Sequence, residues 1–220
     1  MARLVFITGA SSGIGQALAL AYYEAGYNLA LVARRTEEIK TWCRRHNISH
    51  NRYAIYSANV SDVDSIVATG NACIASQGLP DVVIANAGIS VGVDTSIRAD
   101  LDQLAQTYAT NNIGLAATFH PFIDGMLQRK SGKLVGIGSV AGIRGMPGHG
   151  AYCASKAAVI SYCESLRGEL RGSGVQVVTI CPGYVKTPMT ENNNFPMPFL
   201  MESEDFAKKS LAKIEAGSSY

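Results

Sequence analysis

Six short apolar segments, separated by longer helical ones, constrain the fold of this chain more than any other feature of its sequence. The apolar segments cover residues 3–8, 28–33, 52–57, 81–85, 132–138 and 175–181. Their nearly unbroken apolar character is typical of parallel strands that helices cover on both faces, because neither face then meets water. The segments with helical patterns cover residues 13–26, 36–46, 61–77, 97–129, 151–172 and 202–216.

Strands that alternate with helices predict an α/β fold, since each helix returns the chain to a parallel neighbour through a right-handed crossover. We expect a doubly wound, Rossmann-type parallel sheet of six strands flanked by helices, in a single domain over residues 1–220. A seventh strand at the sheet edge is not expected, since either the sequence stops before it or the sheet has six strands. Gly26 marks the end of the first helix, and Ser61 followed by Asp64 marks the start of the third. The proline-containing segment 187–200 predicts a loop.

Charge and cysteine usage exclude several classes of function. The chain has 19 basic and 17 acidic residues and no basic run longer than two residues, so nucleic acid is not an expected partner. The first apolar run, Leu4–Ile7, is far too short for a signal peptide or a membrane span. Five scattered cysteines without a Cys-x-x-Cys pair indicate neither a disulfide framework nor a metal site. We therefore expect a cytoplasmic protein with no metal and no membrane partner.

A glycine-rich turn follows the first strand and opens the first helix. Gly9 permits a sharp turn, Gly13 lets the backbone approach a pyrophosphate, and Gly15 lets the helix pack close to the strand. The N-terminus of the helix offers free N–H groups and a partial positive charge to the phosphates. The predicted dinucleotide-binding residues of this turn are Thr8, Gly9, Ser11, Ser12, Gly13, Ile14 and Gly15. A purely structural turn and the glycine-rich loop of a methyltransferase are the alternatives.

Two arginines follow the second strand, where the adenosine ribose of a dinucleotide lies in this type of sheet. An enzyme that uses NAD(H) needs an acidic side chain there to accept hydrogen bonds from the ribose hydroxyls. This chain carries Arg34 and Arg35 instead, with no acidic residue before Glu37. Guanidinium groups match the geometry of a 2′-phosphate, so we predict NADP(H) as the cofactor. The alternative is a pair of solvated arginines before a helix.

Tyr152 and Lys156 lie four residues apart in a predicted helix and therefore share one of its faces. A tyrosine acts as an acid or base at neutral pH only if its pKa of about 10 is lowered. An ammonium group about 5 Å away contributes roughly 3 kcal/mol at an effective dielectric of about 20, so we expect Lys156 to lower the pKa of Tyr152. Ser139 ends the fifth strand, at the edge where such sheets bind ligands, and its hydroxyl can hold a substrate oxygen against the phenol. Taken alone, a half-buried tyrosine beside a solvated lysine is the alternative.

Together these residues resemble the short-chain dehydrogenase/reductase family, in its single-domain branch. The matching residues follow one order along nearly the whole chain. They are Thr8 to Gly15, Asn86-Ala87-Gly88, Asn111 with Gly114, Ser139, Tyr152 to Lys156, Pro182-Gly183 and Thr187. The resemblance implies an oxidoreductase that transfers a hydride between NADP(H) and a carbonyl or secondary alcohol substrate.

The resemblance also implies a role for each member of a catalytic tetrad. Tyr152 would donate or accept the proton, and Ser139 would position the carbonyl oxygen. Lys156 would bind the nicotinamide ribose, and Asn111 would hold a water that relays protons through Lys156. Tyr152 and Lys156 therefore also count as cofactor contacts. The further cofactor contacts implied are Asn59, Val60, Asn86, Ala87, Gly88, Pro182, Gly183, Val185 and Thr187.

The chain departs from the family pattern at two polar positions. Asn59 stands where the family usually has Asp beside the adenine, and an amide can still hydrogen-bond that base. Asn112 follows Asn111, and the spacing to Gly114 favours Asn111 as the tetrad member. The alternative function is a non-catalytic NADP(H)-binding regulator on the same fold, although such proteins typically lack the Tyr or the Lys.

Substrate and assembly follow less directly from the residues. The segments that we expect around the substrate are mainly apolar, so a medium-sized apolar ketone, aldehyde or secondary alcohol is expected, and Arg144 could meet a carboxylate. The apolar residues of 195–201 are expected to line a lid over the site. The resemblance implies a homodimer, or a homotetramer, that forms through the long helical segments 97–129 and 151–172.

Overall fold

Six parallel strands form one sheet, in the order β3-β2-β1-β4-β5-β6, within the residues that the structure describes. The structure is a computed structural model and describes residues 2–191, 193 and 196–219. The strands are β1 (Leu4–Thr8), β2 (Asn28–Ala33), β3 (Tyr53–Ser57), β4 (Val82–Ala85), β5 (Gly132–Ile137) and β6 (Val175–Ile180). The predicted doubly wound α/β fold is confirmed, and each strand lies within one residue of its predicted bounds.

Seven α-helices cover the two faces of this sheet in the described part of the chain. They are α1 (Gly13–Glu24), α2 (Thr36–Arg45), α3 (Val63–Gln77), α4 (Asp100–Tyr108), α5 (Gly114–Arg129), α6 (Gly150–Glu169) and α7 (Ser203–Glu215). Alternate residues of each strand enter different cores: Val5 and Ile7 pack with side chains of α1, α2 and α7, whereas Phe6 packs with those of α3, α5 and α6. Both faces of the sheet are therefore covered by helices and excluded from water, which explains why the strands are apolar without interruption.

The bounds of several predicted helices were wrong, and the start of the third helix and the long helix over 97–129 are the clearest cases. Helix α3 begins at Val63 rather than at Ser61, because the Asp62 carboxylate caps it by accepting a 3.1 Å hydrogen bond from the Ser65 N–H. The long helix predicted over 97–129 is interrupted by a π-helical turn at 109–113, which separates α4 from α5. Consecutive residues of an α-helix point about 100° apart, and the wider π-turn reduces that angle, so that two adjacent side chains can face α6.

The loop after β6 is closed at its base by a parallel bridge between Val185 and Met201. The predicted loop 187–200 thus returns to its starting point, close to the carboxyl edge of the sheet. The apolar lid predicted over 195–201 includes Phe195, which lies outside the described residues, while Phe199 is 97% exposed. No helix in the described part of the chain is long and apolar enough to cross a membrane.

Candidate active site and cofactor groove

A groove of about 630 Å³ lies at the carboxyl edge of the sheet. Residues at the ends of β1, β2, β4 and β5 line it, and the sheet reverses its winding direction between β1 and β4. Such a point is where doubly wound sheets bind their ligands. The predicted site residues that line the groove are Gly9, Ser11, Ser12, Gly13, Ile14, Arg34, Arg35, Asn59, Val60, Asn86, Ala87, Gly88, Tyr152, Lys156, Pro182 and Thr187.

The turn between β1 and α1 forms one end of the groove. Gly9 has a φ of +68°, and a Cβ there would lie 2.9 Å from the Ala87 Cα. A Cβ on Gly15 would collide with the carbonyl oxygen of Gly9. The sequence predicted that this glycine lets the helix pack close to the strand, whereas in the structure it lets the helix pack against the turn. Ser12 precedes α1 without a side-chain capping hydrogen bond, which leaves the first amides of the helix available to an anion.

Thr8 and Asn86 hold this turn against the end of β4. The Thr8 hydroxyl oxygen accepts hydrogen bonds from the N–H groups of Asn86 (3.1 Å) and Ala87 (3.2 Å). The Asn86 amide donates to the carbonyl oxygen of Thr8 at 2.9 Å. Thr8 is 1% exposed and lies behind the groove wall. It supports the turn instead of facing a ligand in the groove.

The arginines predicted for a 2′-phosphate stand at the rim, beside the phosphate turn. The Arg35 guanidinium lies 3.1 Å from the Glu38 carboxylate and 3.4 Å from the Ser11 hydroxyl. Arg34 lines the same groove and is exposed. The Asn59 side chain accepts a 3.3 Å hydrogen bond from the Ser61 N–H and lines the groove nearby. Two cationic side chains therefore surround the place where β2 ends.

Tyr152 and Lys156 line the other end of the groove, and Ser139 lies beside Tyr152. The Ser139 hydroxyl lies close enough to the Tyr152 phenol to affect its acidity, and it accepts a 3.1 Å hydrogen bond from the Ala141 N–H. The Lys156 ammonium lies 5.7 Å from the centre of the Tyr152 ring. It donates a 2.7 Å hydrogen bond to the carbonyl oxygen of Ile137, at the end of β5.

The acidities of these groups differ from those predicted from the sequence. Burial raises the pKa of the Tyr152 phenol, and the neighbouring Ser139 hydroxyl opposes this rise. The prediction that Lys156 lowers this pKa was wrong, because the ammonium points to the carbonyl oxygen of Ile137 and not to the phenol oxygen. Burial also lowers the pKa of Lys156 from 10.5 to about 8. The phenol is thus kept protonated at neutral pH, and the ammonium can lose its proton within a moderately alkaline range.

Asn111 is buried in the π-turn and supports the wall of the groove. Its side-chain oxygen accepts a 2.8 Å hydrogen bond from the Ile89 N–H, and its amide donates to the Ile89 carbonyl oxygen at 3.0 Å. The same amide donates to the Ser155 hydroxyl at 2.9 Å. Asn111 therefore joins the segment after β4 to helix α6.

Several predicted contacts lie outside the groove, and several groove residues were not predicted. Gly15, Asn111, Ser139, Gly183 and Val185 do not line it, as Thr8 does not. The unpredicted lining residues are Val32, Ala33, Ala58, Ser61, Ile89, Gln106, Thr110, Ile137, Gly138, Pro188 and Met189. Most of these adjoin a predicted residue, so each motif could have been extended by one or two positions. Gln106 and Thr110 are four residues apart on one helical face, which is the only signal they give.

Neither a reactive cysteine nor a metal-binding cluster is indicated in the described part of the chain. All five cysteines are free thiols. Burial is the main cause that raises the pKa of four of them: Cys43, Cys73, Cys163 and Cys181. Within the described ranges 2–191, 193 and 196–219, no group of three His, Cys, Asp or Glu side chains could hold a metal ion.

Comparison with known proteins gives a consistent result. The sequence profile of the family described as short chain dehydrogenase matches residues 3–197. An uncharacterized oxidoreductase of Myxococcus xanthus is 39% identical over 203 residues, which are 92% of this chain and 80% of that protein. A dehydrogenase/reductase SDR family protein 7-like of Anopheles gambiae is 34% identical over 195 residues, and the match spans 86% of this chain but only 61% of that protein.

Solved structures resemble the fold over its whole length. A structure described as ElxO with NADP bound has a TM-score of 0.90 and covers 100% of this chain and 94% of its own. The sequence identity is 24%, so this likeness concerns the fold alone.

Proposed function

The chain belongs to the short-chain dehydrogenase family of oxidoreductases, and we propose that it transfers a hydride between NADP(H) and a carbonyl or secondary alcohol, with Tyr152 as the general acid or base. One observation carries this proposal: Tyr152, with Ser139 beside it, lines the same groove as the phosphate-binding turn. A proton donor and a dinucleotide site in one groove are what the reduction of a C=O bond requires.

The side chains at this end of the groove would have different roles in the reaction. Burial keeps the Tyr152 phenol protonated, which suits a group that donates a proton to a carbonyl oxygen. Ser139 would hold that oxygen against the phenol with its hydroxyl. Lys156 would bind the nicotinamide ribose and return a proton to the tyrosinate, for which a pKa of about 8 is suited. Asn111 would position a water that connects Lys156 to solvent.

The groove fits NADP(H) at both ends. Backbone amides at the start of α1 are available to a pyrophosphate, and the glycines of the turn let the backbone pack closely on Ala87 and Gly9. Arg34 and Arg35 would bind the 2′-phosphate, and Thr187 would contact the carboxamide. When bound, the cofactor would supply or accept the hydride at the substrate carbon. The structure of ElxO, which shares this fold, also contains NADP.

Exposed apolar side chains lie in the segments that follow β5 and β6, and one of them, Met189, lines the groove. Val140 is 48% exposed, Ile143 69% and Met189 49%, and all three belong to loops that follow β5 or β6. An apolar substrate would cover such exposed side chains and remove them from water, which favours its binding. We therefore propose a medium-sized apolar ketone, aldehyde or secondary alcohol as the substrate. The exposed Arg144 in the same loop would meet a carboxylate if the substrate carries one.

The long helices offer a surface for a second copy of the chain. Leu101, Leu104, Ile113 and Tyr162 are all exposed on α4, the π-turn and α6. We propose a homodimer formed through this surface, and a homotetramer would require a second interface. A cytoplasmic location is part of the proposal, because five free thiols fit a reducing compartment.

The experiment that tests the function measures NADPH oxidation with a panel of apolar ketones and aldehydes. The Tyr152→Phe variant should lose at least about 100-fold in turnover and keep its affinity for NADPH, because only the proton donor is removed. Tyr53→Phe, on the far strand β3, is the matched control and should retain full activity. More than about a tenth of wild-type turnover in Tyr152→Phe would contradict the assignment.

A further inference from the structure

Asn112 has no role in the tetrad, yet its side chain contacts the helix that carries Tyr152 and Lys156. Its amide nitrogen donates a 2.8 Å hydrogen bond to the carbonyl oxygen of Ser155. Ser155 is fully buried and stands between Tyr152 and Lys156, directly before the lysine. The contact therefore joins the π-turn to the middle of the catalytic turn of α6.

Ser155 makes two further hydrogen bonds with its hydroxyl. It donates to the carbonyl oxygen of Tyr152 at 2.7 Å and accepts from the Asn111 amide at 2.9 Å. The two adjacent asparagines thus hold both the side chain and the backbone of one residue. On the side of β5, Lys156 donates to the Ile137 carbonyl oxygen. Contacts from these two sides restrict rotation of α6 about its own axis.

Rotation of this helix would displace the phenol oxygen most, because that atom lies far from the axis. With a Cα radius of about 2.3 Å and a tyrosine side chain of roughly 6.5 Å, the oxygen lies roughly 9 Å out. A rotation of about 10° would move it by about 1.5 Å. Displacements of about 1 Å can reduce catalysis by about 100-fold. The Asn112 side-chain oxygen is buried without a hydrogen-bond partner in the described part of the chain, so the donor group is what this residue contributes.

We propose that Asn112 is a positioning residue that acts through Ser155 to hold the Tyr152 phenol against the Ser139 hydroxyl. The inference rests on the proposed function, because it assigns Asn112 to the same proton transfer. Loss of the Asn112 donor would let α6 rotate and weaken the contact between Tyr152 and Ser139. Since the neighbouring Ser139 hydroxyl lowers the pKa of the phenol, the pKa of Tyr152 would then rise.

The test uses the full chain with tyrosine labelled by ¹³C at the ring carbon that bears the hydroxyl. Titration by NMR gives the pKa of Tyr152, whose signal is identified by its loss in Tyr152→Phe. Asn112→Leu keeps the size of the side chain and removes the donor, and Asn112→Ala and Ser155→Ala serve as second variants. We expect a rise of about 0.5–1 in the pKa of Tyr152. We also expect a fall of about 10-fold in kcat for carbonyl reduction, with the KM for NADPH within about twofold. Asn71→Ala and Ser165→Ala remove exposed residues of the same types and should change neither value.

The outcomes separate positioning from packing. A lower Tm in Asn112→Leu with an unchanged pKa of Tyr152 would overturn the inference, because the amide would then only stabilise the packing of the π-turn on α6. A wild-type protein without turnover on any carbonyl would refute the proposed function instead. In that case the NMR titration would still decide whether Asn112 positions the phenol.

Discussion

Replacement of Lys156 by methionine should remove a pH-dependent loss of stability from the fold. Lys156 is 6% exposed, and burial lowers its pKa from 10.5 to about 8. At about 1.36 kcal/mol per pKa unit, this difference corresponds to about 3 kcal/mol of weaker proton binding in the folded state. The unfolded chain takes up this proton more readily, so the wild-type protein loses stability as the pH falls from 10.5 through 8, and the loss is constant below 8. Lys156→Met removes this loss but also leaves the Ile137 carbonyl oxygen without its donor.

The pH dependence isolates the buried charge from that constant loss. Between about pH 7 and about pH 9.5, the stability of the wild type relative to Lys156→Met should rise by about 2 kcal/mol. Urea denaturation of both proteins at several pH values measures this difference, because all other titrating groups are shared. Lys208→Met, which removes an exposed lysine of α7, is the matched control, and its stability should follow that of the wild type at every pH. Parallel curves for the wild type and Lys156→Met over this range would refute the reasoning.

Two further predictions concern the cofactor rim and the assembly. The wild type should bind NADPH about 30-fold more tightly than NADH. This preference is small for two guanidinium groups, because the Arg35 side chain is 60% exposed and also forms an ion pair with Glu38. Titrations with both cofactors should show that Arg34→Ala/Arg35→Ala abolishes this preference, and a double variant that still prefers NADPH would disprove the role of the arginines. Light scattering should give a dimer for the wild type, whereas Leu104→Lys should dissociate it by placing a charge in the apolar contact. A wild type that stays monomeric at every concentration would rule out the proposed interface.

Much of this fold could be predicted from the sequence because its signals are local. Each strand is a short apolar run, and the burial of both sheet faces makes that run unbroken. The turn from Gly9 to Gly15 could be identified for the same reason, since strand, glycines and helix are contiguous. The pairing of Tyr152 with Lys156 follows from helical periodicity alone.

The tertiary structure decided the chemistry at the ends of these elements. Whether Lys156 faces the phenol or the Ile137 carbonyl oxygen depends on how α6 packs on β5, and this contact spans 19 positions. The break in the helix predicted over 97–129 places Asn112 against α6. Its hydrogen bond to Ser155 joins residues 43 positions apart in the sequence. A pKa depends on burial and on partners from distant segments, which no local pattern records. The sequence therefore determined which residues could act, whereas packing determined their protonation and their partners.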